Sequence, residues 1–169
     1  MIKRFYFLML FLLCMVTATA QIQRKILGFT LGVTTKSQVV NYLKHHHYKY
    51  LIRKNGEYVV SNITFAGYNW QETYFSFYKG KFYCVDFRDD GEYTFEELLK
   101  EVWERLKNSL NRKYSIYSIS SKDDKIEFSD NKTYVGLNYK YSFGSKSLSI
   151  MYFDIYLFNQ CSNSEYNEL

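Results

Sequence analysis

Few residues in this chain have both the type and the spacing to do chemistry. All three histidines are consecutive, His45-His46-His47, at the end of an amphipathic run. Successive helical residues diverge by about 100°, so three adjacent imidazoles do not converge on one ion, and the i, i+4 spacing of a helical metal site is absent. They read as solvated histidines at a helix C-terminus, where positive charge is favoured, and neither a metal nor a cofactor is expected. Two pairs of adjacent carboxylates, Asp89-Asp90 and Asp123-Asp124, have the chemistry of a general acid and base. A small periplasmic hydrolase using them is the alternative function. Glycoside hydrolysis by two acids needs them on facing elements at a set separation, whereas these lie beside Gly91, Lys122 and Lys125 in turn-like stretches. The chain has no G-x-S-x-G, no H-E-x-x-H, no phosphate loop and no cysteine beside a histidine.

Recognition chemistry is better represented. Tyr74, Tyr78, Phe82 and Arg88 can share the outward face of a β-hairpin, with Tyr68 and Trp70 at a break beside it. An exposed Tyr/Trp/Arg patch has the composition of a protein-interface hot spot; the competing reading is that the chain's own second half covers it. Lys44, Lys49, Arg53 and Lys54 interleave with Tyr48 and Tyr50. Such a pattern can bind single strands or anionic glycans, yet four cations in this span fit a solvated helix end and loop. Cys84 and Cys161 can close one disulfide over a long loop; the alternative is two free thiols, since Cys84 sits within a strand pattern.

The elements that would hold these residues are legible in turn and cap signals. Thr35-Lys36-Ser37-Gln38 fits a capping box opening a helix to about His46, with Val39, Val40, Leu43 and His47 on one face. Asn55-Gly56 precedes a strand from Tyr58 to Phe65; Ala66-Gly67-Tyr68-Asn69-Trp70 breaks it, and Gln71 to Lys79 resumes. Phe75 and Phe77 alternate with Tyr74, Ser76 and Tyr78, the period of a half-buried strand. Lys79-Gly80 turns into a strand from Phe82 to Arg88. Thr94-Phe95-Glu96-Glu97 fits a second capping box, followed by an apolar stripe of Phe95, Leu98, Leu99, Val102, Leu106 and Leu110 with Trp103 at its border. Three further strands are expected, Lys125 to Ser129, Thr133 to Tyr141 and Ser147 to Phe158, punctuated by Asp130-Asn131 and Phe143-Gly144-Ser145.

The ends and composition bound the rest. Lys3 and Arg4, an apolar run from Phe5 to Val16 and Ala18-Thr19-Ala20 make residues 1–20 an export signal. Phe11-Leu12-Leu13 before Cys14 is not the small residue that a lipidation signal needs, so simple export is expected, to the periplasm or beyond. Lys3 and Arg4 are the only charges of that segment, so the formal +5 becomes +3 without them, too small to imply nucleic acid. With 18 Tyr, 14 Phe and no proline, the composition favours strands. No other apolar run reaches membrane-spanning length. The layout is one α+β domain over 21–160: two α-β-β-β units, at about 27–88 and 94–158, share one antiparallel sheet with helices packed on one face, and residues 161–169 form a polar tail. Gln21 to Lys25 reads as a polar leader.

Leu27-Gly28 through Leu31-Gly32 to Ser37, Val39 and Leu43, with the Phe65-Ala66-Gly67 break and the aromatic hairpin after it, resemble uncharacterised secreted proteins of Bacteroides-type bacteria with a tandem helix-plus-sheet design. More distantly, the chain looks like the β-lactamase-inhibitor-protein fold and the small lipoprotein of the outer-membrane barrel-assembly machine. The resemblance implies binding to other proteins and not catalysis; taken with the aromatic sheet face, the expected function is a non-enzymatic module that binds a protein, or a glycan, of the cell envelope. The resemblance supplies no partner-contacting residue that can be matched here. A purely structural envelope role is the third reading.

Overall fold

Paired residues with positive φ set the tight turns. In the computed structural model, which describes residues 21–91, 94–142 and 145–166, Leu27-Gly28, Ala66-Gly67 and Lys79-Gly80 each place two successive residues at positive φ. That is the signature of a type I′ turn, whose twist matches the strands it joins. The three turns build hairpins from β1 (Lys25–Ile26) to β2 (Phe29–Thr30), from β4 (Tyr58–Phe65) to β5 (Tyr68–Tyr78), and from β5 to β6 (Lys81–Asp89). The second break therefore occupies two residues, and β5 starts at Tyr68 instead of Gln71.

Helix α1 (Lys36–His45) opens on the expected capping box and buries Val39 and Leu43. It closes in a Schellman arrangement: the N–H of Tyr48 donates to Leu43 O at 2.9 Å and that of His47 to Lys44 O at 3.1 Å. His47 is thereby held at φ 57 and points into solvent, off the buried face assigned to it. Helix α2 (Glu96–Tyr114) carries Glu96 and Glu97 in its first turn and Arg112 and Lys113 in its last, as the helix dipole favours. Its cap differs from expectation. Thr94 donates its hydroxyl to Asp89 at 2.9 Å instead of capping, and Phe95 takes the N-cap position. The buried stripe accordingly begins at Leu99, leaving Phe95 82% and Leu98 44% exposed, while Trp103 is fully buried and stacks on Tyr139.

One eight-stranded antiparallel sheet runs through the molecule in the order β3-β4-β5-β6-β10-β9-β8-β7, with β3 at Tyr50–Ile52, β7 at Ser118–Ser121, β8 at Lys125–Ser129, β9 at Thr133–Ser142 and β10 at Ser145–Asp154. A 3₁₀ turn, Ser115–Tyr117, links α2 to β7. Each half is thus a helix followed by four strands, not three. The extra strands, β3 and β7, are the sheet's edges and span only three and four residues, too short for alternation to show in the sequence. Their shortness is a usual protection against edge pairing. The last strands of the two halves, β6 and β10, pair at the centre from Leu148↔Asp89 to Phe153↔Cys84.

Helices α1 and α2 pack on one face of this sheet and a single hydrophobic cluster joins both halves. A third helix lies on the opposite face. The last strand stops at Asp154 because Asp154 Oδ1 accepts from the N–H of Leu157 at 2.9 Å, a helix-capping contact that turns the chain into α3 (Ile155–Tyr166). Residues 155–166 are therefore helix, where a strand end and a polar tail were expected. Gln21 to Lys25 is no loose leader either. Ile22 is buried with its N–H on Asp130 at 2.9 Å, and Arg24 pairs with Asp154 while donating to Leu31 O at 2.8 Å and Thr133 Oγ1 at 3.1 Å. The export signal expected at 1–20, the Phe143-Gly144 part of the last turn and residues 167–169 lie outside the described residues.

Candidate binding face

Strand alternation sends Tyr74, Asp86 and Arg88 to the sheet face opposite α1 and α2. Tyr74 pairs with Asp86 across β5 and β6, and Arg88 with Ser149 of β10. The Tyr74 ring is held between two guanidinium groups, with Arg53 Cζ 4.6 Å and Arg88 Cζ 4.3 Å from its centroid. Stacking of this kind leaves the guanidinium edges free for further hydrogen bonds. Arg53 donates to the Tyr74 hydroxyl at 2.9 Å, and that hydroxyl donates to Glu72. Arg88 reaches Asp86 Oδ2 at 2.6 Å, leaving the buried Oδ1 without a partner, and Ser76 donates to Glu57 at 2.8 Å.

Electrostatics follow from this packing. Burial raises the Asp86 carboxyl, against the pull of Arg88, and burial with the Glu72 acceptor pushes Tyr74 up to about 12. For Arg88, burial works against its charge, but Asp86 outweighs this and holds the guanidinium above its ordinary value. Arg88 therefore stays charged at neutral pH. In the second half, burial alone would raise Glu127, but hydrogen bonds from Lys125 and Tyr134 outweigh it and hold the carboxyl low. An open depression of ≈ 300 Å³ lies beside the stack, lined by Glu72, Tyr74, Arg88, Asp90, Ser147 and Ser149 among others.

Of the six residues expected on this face, only Tyr74 and Arg88 come together. Trp70 is wholly buried, its indole N–H on Phe65 O at 3.1 Å and its ring against Phe87. Asn62, in the facing strand, sits at φ 60; this interrupts the alternation, and Ile63, Phe65 and Trp70 all join the core cluster. Phe82 is wholly buried too. A register shift between Ser76 and Phe77 pairs Phe82 with Phe77 and turns it into the aromatic core beside Phe29 and Phe75. Neither ring is available to a partner. Tyr68 packs edge-on against Trp70 and donates to buried Asp89, which raises its own pKa after the larger effect of burial. Tyr78 is half-buried at the hairpin end under Lys79. Arg53, read from the sequence as part of a solvated basic loop, belongs to the site; the only signal for it was its place among the tyrosines.

Part of the outer face is covered by α3. Phe158 stacks on Phe153 at 4.4 Å, and the Tyr83 hydroxyl donates to Cys161 Sγ at 3.7 Å. Cys84 and Cys161 are both free, so the possible disulfide is not formed, and burial pushes the Cys84 thiol well up. The half of the face bearing Tyr74 and Arg88 lies beyond these contacts.

The two aspartate pairs do not converge. Asp89 is buried and accepts from Tyr68, Thr94 and the Gly91 N–H, holding the turn after β6. Asp123 and Asp124 are exposed at the β7–β8 turn. Asp89, Leu148, Tyr139 and Asp124 lie on one cross-strand row, so Asp89 and Asp124 are three strand spacings apart, roughly 14 Å. Paired glycosidase carboxylates lie within about 9.5 Å. The three histidines are exposed, and no group of three or more His, Cys, Asp or Glu able to hold a metal occurs among the described residues. No helix among them is long and apolar enough to cross a membrane. No protein-family model, curated protein or solved structure matches this chain.

Proposed function

We propose that this chain is an exported, non-enzymatic module that binds a protein, or a glycan, of the cell envelope through the outer face of its sheet. The observation that carries the reading is the Arg53–Tyr74–Arg88 stack on the part of that face that α3 leaves open. Arginine and tyrosine dominate interface hot spots because a large flat surface and several donors are presented with little side-chain freedom to lose. Here the stack orders Arg88, whose side chain is still 52% exposed. The likeness to small exported binding proteins, with a helix-plus-sheet unit used twice, supports the same reading; in this chain each unit carries four strands.

Affinity capture from the native envelope tests it. Wild-type protein is expected to retain a co-purifying partner that Arg53→Ala/Arg88→Ala loses, with the far-ultraviolet circular dichroism unchanged. Equal retention by the double variant defeats the proposal. Tyr74 itself is left intact, since it is buried and its removal would disturb the sheet.

A further inference from the structure

On the inner side of the sheet, away from the stack, a cavity of ≈ 200 Å³ lies between α2, the β1 segment and β10. Its walls are apolar: Ile26, Phe65, Leu106, Leu110 and Ile150. Two phenols, Tyr114 and Tyr152, also line it, and both side chains are more than nine-tenths buried. The Tyr114 hydroxyl accepts from the Gln23 N–H at 3.2 Å, which leaves its own hydrogen to donate. The Tyr152 phenol lies on the same wall, close enough to Tyr114 to interact with it electrostatically. Lys113 stands at the exposed rim, its Nζ 2.7 Å from Gln23 Oε1 and 5.1 Å from the Tyr114 ring centroid. No acid lines the cavity.

We propose that this cavity binds a small carboxylate with an apolar body, of about the size of benzoate or hexanoate. Size sets the apolar part. An apolar cavity of about 150 Å³ takes one benzene, whereas drug-sized ligands need about 300 Å³ or more. The polar part follows from what the walls lack. Two phenols and a cation at the rim offer donors, and no acid stands among them to accept. A carboxylate supplies acceptors to both hydroxyls and a counter-charge to Lys113. Burial raises the Tyr152 pKa, so the phenol keeps its proton and remains a donor at neutral pH. The site shares no residue with the outer face and stands independently of it.

Titration of ¹⁵N-labelled protein with sodium hexanoate, with hexylamine as a control of equal chain length, tests the assignment. Saturable shifts are expected at amides of Leu106 to Tyr114 and Ile150 to Tyr152, with hexanoate binding about tenfold more tightly than hexylamine. Lys113→Gln, a surface change that does not threaten folding, and Tyr152→Phe, which keeps the ring, should each weaken hexanoate by about fivefold or more. Absence of saturable shifts, equal affinity for hexylamine, or unchanged affinity in both variants overturns the proposal. So does a crystal structure at saturating hexanoate whose cavity holds only water.

Discussion

Asp86 illustrates how a single residue on the outer face is balanced. Its carboxyl is raised by burial, and Arg88 opposes without cancelling. A carboxyl with a folded pKa above its unfolded value binds its proton more tightly when folded, so stability falls as pH rises from the ordinary 3.8 through the raised value. Asp86→Asn removes that loss. Thermal melts across a pH series should show the variant gaining on wild type as pH climbs through this window, with the smallest difference at the acid end; a gain confined to low pH would contradict the account. His47 is a second residue-scale case. It holds the left-handed position of a Schellman cap at φ 57, where glycine carries no steric cost. His47→Gly should stabilise the fold by about 0.5–1 kcal/mol in urea unfolding, strain relief exceeding the added freedom of the unfolded chain.

At the scale of elements, the junctions concentrate the constraints. Asp154 ends β10, caps α3 with one oxygen and pairs with Arg24 through the other. Asp154→Ala should cost about 3 kcal/mol, since it removes a cap and leaves a largely buried guanidinium without its counter-charge. A double-mutant cycle with Arg24→Ala should return a coupling of about 1–2 kcal/mol; zero coupling would mean that the N-terminal segment is not tied to β10. The turn after β6 is tighter still. Gly91 has φ 73, and a Cβ there would meet Lys146 O at 1.9 Å, whereas Gly56 has φ 80 with nothing within 4 Å. Gly56→Ala should therefore cost only the left-handed penalty of about 1 kcal/mol, and Gly91→Ala about 3 kcal/mol or more, because backbone must move. Chemical denaturation of the two variants side by side separates these effects.

For the molecule as a whole, the arrangement of strands sets where it opens. The two halves meet at β6 and β10, the innermost pair, and one apolar cluster crosses that seam. Amide hydrogen exchange should be slowest along Val85–Phe87 and Ile150–Tyr152 and fastest in the edge strands, where few apolar contacts lock the backbone. Thermal unfolding should be one cooperative transition. Two separate transitions, or comparable protection at edge and centre, would show that the halves fold as independent units.

Much of the fold is legible along the chain because its signals are local. Ala66-Gly67 and Lys79-Gly80 mark tight turns whatever surrounds them, Thr35 and Gln38 cap a helix with their own side chains, and β4, β8 and the start of β9 fall where turn residues and alternation place them. Tertiary structure decided which way the aromatic rings point. A positive φ at Asn62 and a register shift after Ser76 send Trp70 and Phe82 inward; asparagine tolerates that φ but does not demand it, and nothing in the residue types at Ser76-Phe77 marks the shift. The edge strands exist only because β4 and β8 offer them hydrogen-bonding partners, and the Asp154 cap converts an aromatic strand pattern into a helix. The stack of Arg53 and Arg88 about Tyr74 joins residues far apart in the chain. Composition supplied the tyrosine and the arginines, but only the pleat and register of neighbouring strands brought them into contact.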